Sequence, residues 1–512
     1  MSVNALIFTE LIHDSMYSRG LGAYRIATEI RKAGYTCQVI DFFTKFNDEE
    51  MEKIMSSFIG EDTLFVGFSS TFFAYVDEKL NTYQRLITGK ERQEPGKQLD
   101  TLNYPYHWEK MQIWFKKMKE INPKVKIVFG GSKSRYLNAM CDAYAAGYAD
   151  QVIISYMKFL EGKNPFFQFK RINDTQILFN GDTDVFDFTK STVEWDKTDH
   201  LIHGETVPIE IARGCIFKCK FCSFPLNGKK KLDYIKDEKI LRDEFLRNYY
   251  EYGITRYIYA DDTHNDTIEK LQMMHRIVTS LPFELEYSSY LRLDLIHAHK
   301  ETATLLRESG LRGTMFGIES LNYKSAQAIG KGLHPEKVKE TLHWLKNDIW
   351  KNEVGISASF IVGLPYDTPA TVEEWSNWLL DPSCPIDTFF IGPLGIKPMR
   401  NHPNAKLWNS EFELDSEKYG YVMEQDGYRW TNEYFTYTTA EALASKVLRT
   451  ARSIDRFRCA GFSLITLSNM GFNPSEIIGC ASRPIFEQSL KLRLKNFNQY
   501  KEKLLEQIGY NK

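Results

Sequence analysis

The sequence predicts an α/β protein: an N-terminal doubly wound parallel-sheet domain, a central partial (β/α)6 barrel and a mainly helical C-terminal region. Three observations predict it. Short apolar runs alternate with amphipathic stretches from the first residues onward; a second such series starts near Glu205; and after about Pro403 the pattern turns irregular, then helical. At 512 residues the chain exceeds one ordinary core, and the breaks in pattern place domains at 1–200, 205–402 and 403–512.

The first series opens with the strand "NALIF". The stretch "LGAYRIATEIRKAGY" follows as a helix with Ala23, Ile26, Ala27 and Ile30 on one face, and "TCQVIDF" as the next strand. "TLFVGFSS" and "KVKIVFGGS" are apolar enough to be buried on both faces and end in small residues. Such strands belong to an open parallel sheet, whose ligands bind beyond the carboxyl ends of its strands. From Asp77 to His107 the run "GKERQEPGKQ" breaks the rhythm, as a polar insertion or lid does.

The second series supplies six strands, "VPIEIA", "RYIYADD", "LEYSSYLRL", "GTMFGIES", "GISASFIVGLP" and "DTFFIGPLG". Amphipathic stretches such as "KDEKILRDEFLRNYYEYG", "HNDTIEKLQMMHRIVTSL" and "PEKVKETLHWLKND" separate them. Six strands with intervening helices suggest a partial barrel, with chemistry at the carboxyl ends of the strands. The aromatic stretch "YGYVMEQDGYRWTNEYFTYTT" reads as packing between domains, with a substrate-cavity lining as the other reading. "TAEALASKVLRTARSIDRF" begins the helical domain or lid.

A formal charge of -2 gives no global field toward nucleic acid, which leaves only a local patch for such a partner, and no attached nucleic-acid module is evident. No run of about 18 apolar residues occurs, and Met1 to Glu10 lacks the features of a secretory signal. A cytoplasmic location without a membrane partner is therefore expected. Lys229, Lys230 and Lys231 read as a solvated turn rather than a steering patch.

The stretch "IARGCIFKCKFCSFP" holds three of eight cysteines, Cys215, Cys219 and Cys222, directly after the first barrel strand. In a reducing compartment, cysteines this close are more often metal ligands than disulfides. The others, Cys37, Cys141, Cys384, Cys459 and Cys480, stand singly and read as buried thiols. A structural zinc site needs four protein ligands; the only candidate for a fourth, His203, sits on the far side of a predicted strand. A cubane iron–sulfur cluster accepts three thiolates and leaves one iron open for chemistry.

The cysteine spacing, with the aromatic Phe221 before the last one, resembles the signature of the radical S-adenosylmethionine superfamily. The resemblance implies that Cys215, Cys219 and Cys222 bind three irons of a [4Fe–4S] cluster and that S-adenosylmethionine chelates the fourth. It also implies a small electron-donor protein such as flavodoxin or ferredoxin. Asp261 and Asp262, ending the second strand in "YIYADDTHND", match the motif that receives the methionine amino group; a solvated acidic turn is the plainer reading. Arg292 in "YLRLDLI" would pair with the methionine carboxylate. At the end of "MFGIES", beside the candidate contact Ser320, Glu319 would orient that arginine or accept from the ribose hydroxyls, unless Arg292 and Glu319 form a structural bridge. In "FIVGLPYDT", Ile361 and Gly363 would let the adenine approach the backbone.

"GIES" followed by "AIGKG" is similar to the superfamily branch with an N-terminal cobalamin-binding-like domain, which the first domain resembles in "SRGLGAYRIATEIRKAGYTCQVID", "FVGFSS" and "IVFGG". Cobalamin is thereby a candidate cofactor. The base-off signature departs here, since His13 precedes Asp14 in "IHDSMYSRGLG". Gly130 and Gly131 give either a tight turn or a close approach for a ligand. The expected activity is reductive cleavage of S-adenosylmethionine and functionalisation of an unactivated carbon, with methyl transfer as one form. Modification of RNA or a protein side chain, and a non-catalytic iron–sulfur or zinc protein, are the alternatives.

Overall fold

The computed structural model describes residues 1–13, 16–69, 75–76, 106–131, 141–172, 174–181, 184–224, 226–351, 353–398, 409–425, 427–454, 469 and 495–510. The chain forms two compact units, Met1–Pro208 with Leu494–Lys512, and Ile209–Arg493.

In the first unit the strands are β1 (Ala5–Phe8), β2 (Cys37–Ile40), β3 (Phe65–Ser69), β4 (Lys126–Gly130), β5 (Ala143–Ala145), β6 (Lys170–Ile172) and β7 (Thr175–Leu178). Their order is β2-β1-β3-β4-β5-β7-β6, parallel except for the antiparallel edge strand β6. The chain direction reverses between β1 and β3, the switch point at which such sheets bind ligands. Strands β1 and β2 are buried throughout, because helices cover both faces of a parallel sheet. Phe8, Phe68 and Phe129 stack across three strands at centroid distances of 5.1 and 5.3 Å.

Helix α1 (Leu21–Lys32) buries Ala23, Ala27 and Ile30, as its periodicity predicts, while Ile26 is only half-buried. Helix α2 (Asp48–Phe58) starts at a capping box of Asn47 and Glu50. Helices α3 (Trp108–Ile121) and α4 (Val152–Leu160) complete the unit. The helix Lys495–Gln507 also belongs to it. It sets Phe497 and Tyr500 edge-on against Phe42, and its Tyr500 hydroxyl accepts from the Asp41 amide at 2.9 Å. The expected lid from Asp77 to His107 lies almost wholly outside the described residues. Strands β5 to β7, three or four residues each, are too short to show a period in sequence.

The second unit carries β8 (Val207–Ile209), β9 (Arg256–Tyr259), β10 (Glu286–Leu291), β11 (Leu311–Glu319), β12 (Gly355–Val362) and β13 (Thr388–Pro393). These are the six expected strands, hydrogen-bonded in chain order, with β9 to β13 pairing parallel. Between them lie α5 (Glu238–Tyr252), α6 (Ile268–Thr279), α7 (Glu301–Glu308), α8 (Pro335–Trp344) and α9 (Pro369–Leu380); α10 (Tyr437–Ser453) packs on α9 and β13. Helix α5 stops at Gly253, which takes the left-handed conformation its end requires.

Alternation along the strands separates the two faces of the sheet. Phe316 stacks on Trp350 and Phe360 on Trp375, so their side of the sheet meets the helices. The intervening positions, Tyr290, Met315, Ser357 and Thr388 in one row and Gly317, Ser359 and Phe390 in the next, face the concave side. Tyr290 and Phe390 are each 42% exposed there, which marks an open interior rather than a filled one. Among the described residues no helix is long and apolar enough to cross a membrane.

Candidate functional site

The cysteine loop begins where β8 ends. Gly214 has φ +125°, and a Cβ there would come within 2.6 Å of the Leu226 carbonyl oxygen, so only glycine fits without strain. That close approach folds the loop back on itself. The Cys215 amide donates to Leu226 O at 3.3 Å, Lys229 N to Cys215 O at 3.1 Å and Gly228 N to Phe217 O at 3.0 Å. The Cys222 amide donates to Cys219 O at 3.0 Å, and Lys220 N to Ile329 O at 3.2 Å, which brings the "AIGKG" segment against the loop.

Cys215 is buried, Cys219 and Cys222 are half-buried, and all three are free thiols. Burial pushes the Cys215 thiol up to about 11. Among the described residues no three His, Cys, Asp or Glu side chains group so as to hold a metal ion. Three thiols on one loop suit a cluster, whose thiolates bind different irons. Cys37, Cys141 and Cys384 are buried, as expected of lone thiols; Cys459 and Cys480 lie outside the described residues.

Asp261 and Asp262 differ. Asp261 is buried, and each of its oxygens has protein partners: Oδ1 accepts from the Ile211 and Ala212 amides at 3.0 and 2.9 Å, Oδ2 faces Lys270 Nζ at 3.0 Å and His264 Nδ1 at 3.4 Å. Burial would raise its pKa, but Lys270 and His264 hold it down to about 2. Asp262 is half-buried beside the loop, close enough for its charge to raise the Cys215 and Cys222 thiols.

Arg292 is buried against the loop. Its guanidinium lies 3.9 Å from the Phe217 ring centroid, donates Nη1–H to Cys219 Sγ at 3.3 Å and grips Asp294 with Nε and Nη2. Asn265 fixes its backbone by accepting from Arg292 N at 2.8 Å and donating to its carbonyl at 2.9 Å. The fork expected to meet a carboxylate ligand therefore already holds Asp294, two residues along the chain.

Glu319 has φ +70°, a left-handed backbone that costs a non-glycine residue on the order of 1–3 kcal/mol and persists only where surroundings enforce it. A register shift between Gly317 and Glu319 accompanies it. The two together turn Glu319 onto the concave face, where Oε2 accepts from Ser359 Oγ at 3.1 Å. A Cβ on Gly317 would sit 2.6 Å from Glu319 Oε1, so this glycine makes room for the carboxylate. Lys331 Nζ donates to Gly317 O at 2.6 Å. Burial raises the Glu319 pKa, against the pull of Lys331 and Ser359. Glu319 is thus hydrogen-bonded to Ser359 and feels the Lys331 charge, while Arg292 grips Asp294. Ser320 is buried and its Oγ accepts from Asn322 N at 3.0 Å, closing the turn after β11.

Ile361 is half-buried on the concave face. Gly363 has φ +87°, and a Cβ on it would lie 2.4 Å from Trp430 Cη2, so the space it opens holds an indole. Trp430 is fully buried and donates Nε1–H to Leu394 O at 2.7 Å. With Tyr421 and Tyr437 around it, the aromatic stretch is core packing inside the second unit. Phe221 is half-buried between two of the cysteines in sequence. His203 is exposed. His13 lies in a short strand whose side chains are outside the described set, as is Asp14.

Sequence reading missed Lys270, Asp266, Asp294 and Lys331. Lys270 lies on a helical face that burial alone would have filled with an apolar residue, which was the available signal. Asp294 sits in a helix's first turn, where acids are ordinary.

A loop of three thiols at the carboxyl end of a six-stranded parallel sheet, in a chain that also carries a separate doubly wound sheet, defines a two-module cluster-binding class. Residues 209–379 match the family model of the radical SAM superfamily. The cofactors of such a domain are a [4Fe–4S] cluster and S-adenosylmethionine. An uncharacterized methyltransferase from Pyrococcus horikoshii is 27% identical over 164 residues, 32% of this chain and 34% of that protein. An anaerobic magnesium-protoporphyrin IX monomethyl ester cyclase from Cereibacter sphaeroides is 25% identical over 281 residues, 50% of this chain and 44% of its own. The chain thus spans well under two thirds of these relatives.

In fold it is similar to TsrM from Kitasatospora setae, a radical S-adenosylmethionine methyltransferase solved with cobalamin and a [4Fe–4S] cluster. That TM-score is 0.59 at 12% identity, covering 97% of this chain and all of the other. It is also similar to OxsB, a cobalamin-dependent radical enzyme, with a TM-score of 0.58 at 11% identity over 99% of this chain and 80% of that one.

Proposed function

We propose that the chain is a cobalamin-assisted radical S-adenosylmethionine enzyme that transfers a methyl group to, or otherwise functionalises, an unactivated carbon. The observation that carries this is the cysteine loop: three free thiols on a backbone held in place by Gly214 and five amide hydrogen bonds, at the carboxyl ends of parallel strands. When bound, the cluster and S-adenosylmethionine supply one-electron cleavage of a carbon–sulfur bond. Cys215, Cys219 and Cys222 are the iron ligands. Asp262, half-buried beside the cysteine loop, is the acceptor assigned to the methionine ammonium. Glu319, turned onto the concave face, is assigned to the ribose hydroxyls, and Ile361 to the adenine face.

The concave rows, where the exposed Tyr290 and Phe390 rings lie among the Ser357, Ser359 and Thr388 hydroxyls, are assigned to hold the substrate. Cobalamin is assigned to the first unit because its strand order has the β1/β3 switch point and its fold is that of TsrM and OxsB. No residue is given a role at cobalt. A flavodoxin or ferredoxin is the proposed electron donor.

The test is anaerobic reconstitution of the parent and of a variant with Cys215, Cys219 and Cys222 all replaced by alanine. The parent should turn brown and release 5′-deoxyadenosine under dithionite, and the variant should do neither. Formation of 5′-deoxyadenosine by the triple variant would falsify the ligand assignment. Titration with hydroxocobalamin, followed by absorbance, tests the first unit; no spectral change and no retention on gel filtration would remove cobalamin from the proposal.

A further inference from the structure

A dense polar cluster of the second unit lies beneath the cysteine loop and has no place in the chemistry assigned above. Its centre is Lys270, in the first turn of α6 and buried. An ammonium has three N–H donors and no acceptor. All three are met: Thr263 O at 2.8 Å, Asp261 Oδ2 at 3.0 Å and Asp266 Oδ1 at 3.2 Å.

Each acceptor leads to the loop. Asp261 Oδ1 takes the Ile211 and Ala212 amides. Asp266 Oδ2 takes the Tyr234 hydroxyl at 2.6 Å and the Ile216 amide at 3.4 Å. Thr263 Oγ1 lies 3.5 Å from Cys215 Sγ. Tyr234 closes the ring, since its carbonyl accepts from Arg213 N at 2.9 Å. Residues 211–216, on both sides of the first cysteine, are therefore anchored through two carboxylates that a single cation holds together.

We propose that Lys270 is a positioning residue for the cluster: bridging Asp261 and Asp266, it fixes the backbone on either side of Cys215 so that the loop is formed before iron arrives. This rests on the ligand assignment made for Cys215. The geometry explains why a lysine is buried where an apolar residue would cost less, and why Asp261 faces inward. A loop that must adopt its fold only upon metal binding would lose affinity by the cost of ordering itself.

The experiment compares the parent with K270M, Y234F and K346M, each reconstituted anaerobically with iron and sulfide. K346M breaks another ion pair, half-buried Lys346 with buried Asp387 at 2.8 Å, at the amino-terminal end of β12, and controls for lost stability. Iron per chain is measured, then the rate of bleaching in excess ferrozine, with far-UV circular dichroism to establish folding. K270M should carry less iron than the parent. Y234F, which deletes one hydroxyl, should load fully but bleach about ten-fold faster, the factor for one hydrogen bond to a charged group. K346M should behave as the parent.

Parent bleaching rates in Y234F overturn the inference, as does K346M bleaching as fast as Y234F. Should K270M fail to fold, the Y234F comparison decides alone. A parent that assembles no cluster overturns the ligand assignment and this inference with it, whereas a parent with a cluster and equal retention in Y234F overturns only the inference.

Discussion

Gly363 offers a quantitative check on how the end of β12 is built. Replacing it by alanine imposes two costs. Alanine at φ +87° carries about 1–2 kcal/mol of left-handed strain. Its methyl would also lie 2.4 Å from Trp430 Cη2 and 3.1 Å from Cζ2, and the fully buried ring has nowhere to retreat, which adds overpacking of about 1–3 kcal/mol. The Gly363→Ala variant should lose about 2–5 kcal/mol. In a Trp430→Leu background the clash is gone and only strain remains, so the two substitutions should couple by about 1–3 kcal/mol. Urea unfolding followed by far-UV circular dichroism on the four proteins of this cycle measures it. Additivity within about 0.5 kcal/mol would show that the glycine is not there to admit the indole.

Asp262→Asn and Glu319→Gln should each weaken S-adenosylmethionine binding about ten-fold or more, the factor for one hydrogen bond to a charged group, with cluster absorbance unchanged; isothermal titration with parent-like affinity in both would remove these roles. Asp367 supplies a pH dependence. It is fully buried, accepts from Ser325 Oγ at 2.8 Å and Leu364 N at 3.2 Å, and burial raises its pKa from 3.8 to about 7. The folded chain therefore keeps a proton that the unfolded chain releases. The associated stability is complete below the unfolded value and is lost as pH climbs toward 7, by roughly 4 kcal/mol in all. Urea midpoints should fall between about pH 4 and about pH 7, and Asp367→Asn should flatten that slope. An unchanged slope in the variant would assign the titration elsewhere.

How much was legible depends on the range of the interaction. The central strands announced themselves because both faces of a parallel sheet are buried, so "KVKIVFGGS" or "GISASFIVGLP" had little freedom to be anything else. Strands β5 to β7 did not, since three or four residues hold less than two periods of alternation. The cysteines were readable because their chemistry is local to eight positions. The roles of the paired acids were not, because adjacent residues on a strand end point opposite ways: Asp261 turns inward to Lys270 and Asp262 stays beside the thiols. Arg292 was placed at the site correctly, but its partner is Asp294 from the following turn.

By itself the sequence determined two parallel-sheet modules, the three-thiol loop and the family it resembles, because periodicity and ligand spacing are properties of neighbouring residues. Tertiary structure alone decided which polar groups meet: that one buried ammonium joins two carboxylates under the loop, that a left-handed Glu319 swings onto the concave face, and that an indole fills the space above Gly363. Those pairings join residues 4 to 67 positions apart, and only packing decides which of many donors and acceptors end up sharing a low-dielectric interior.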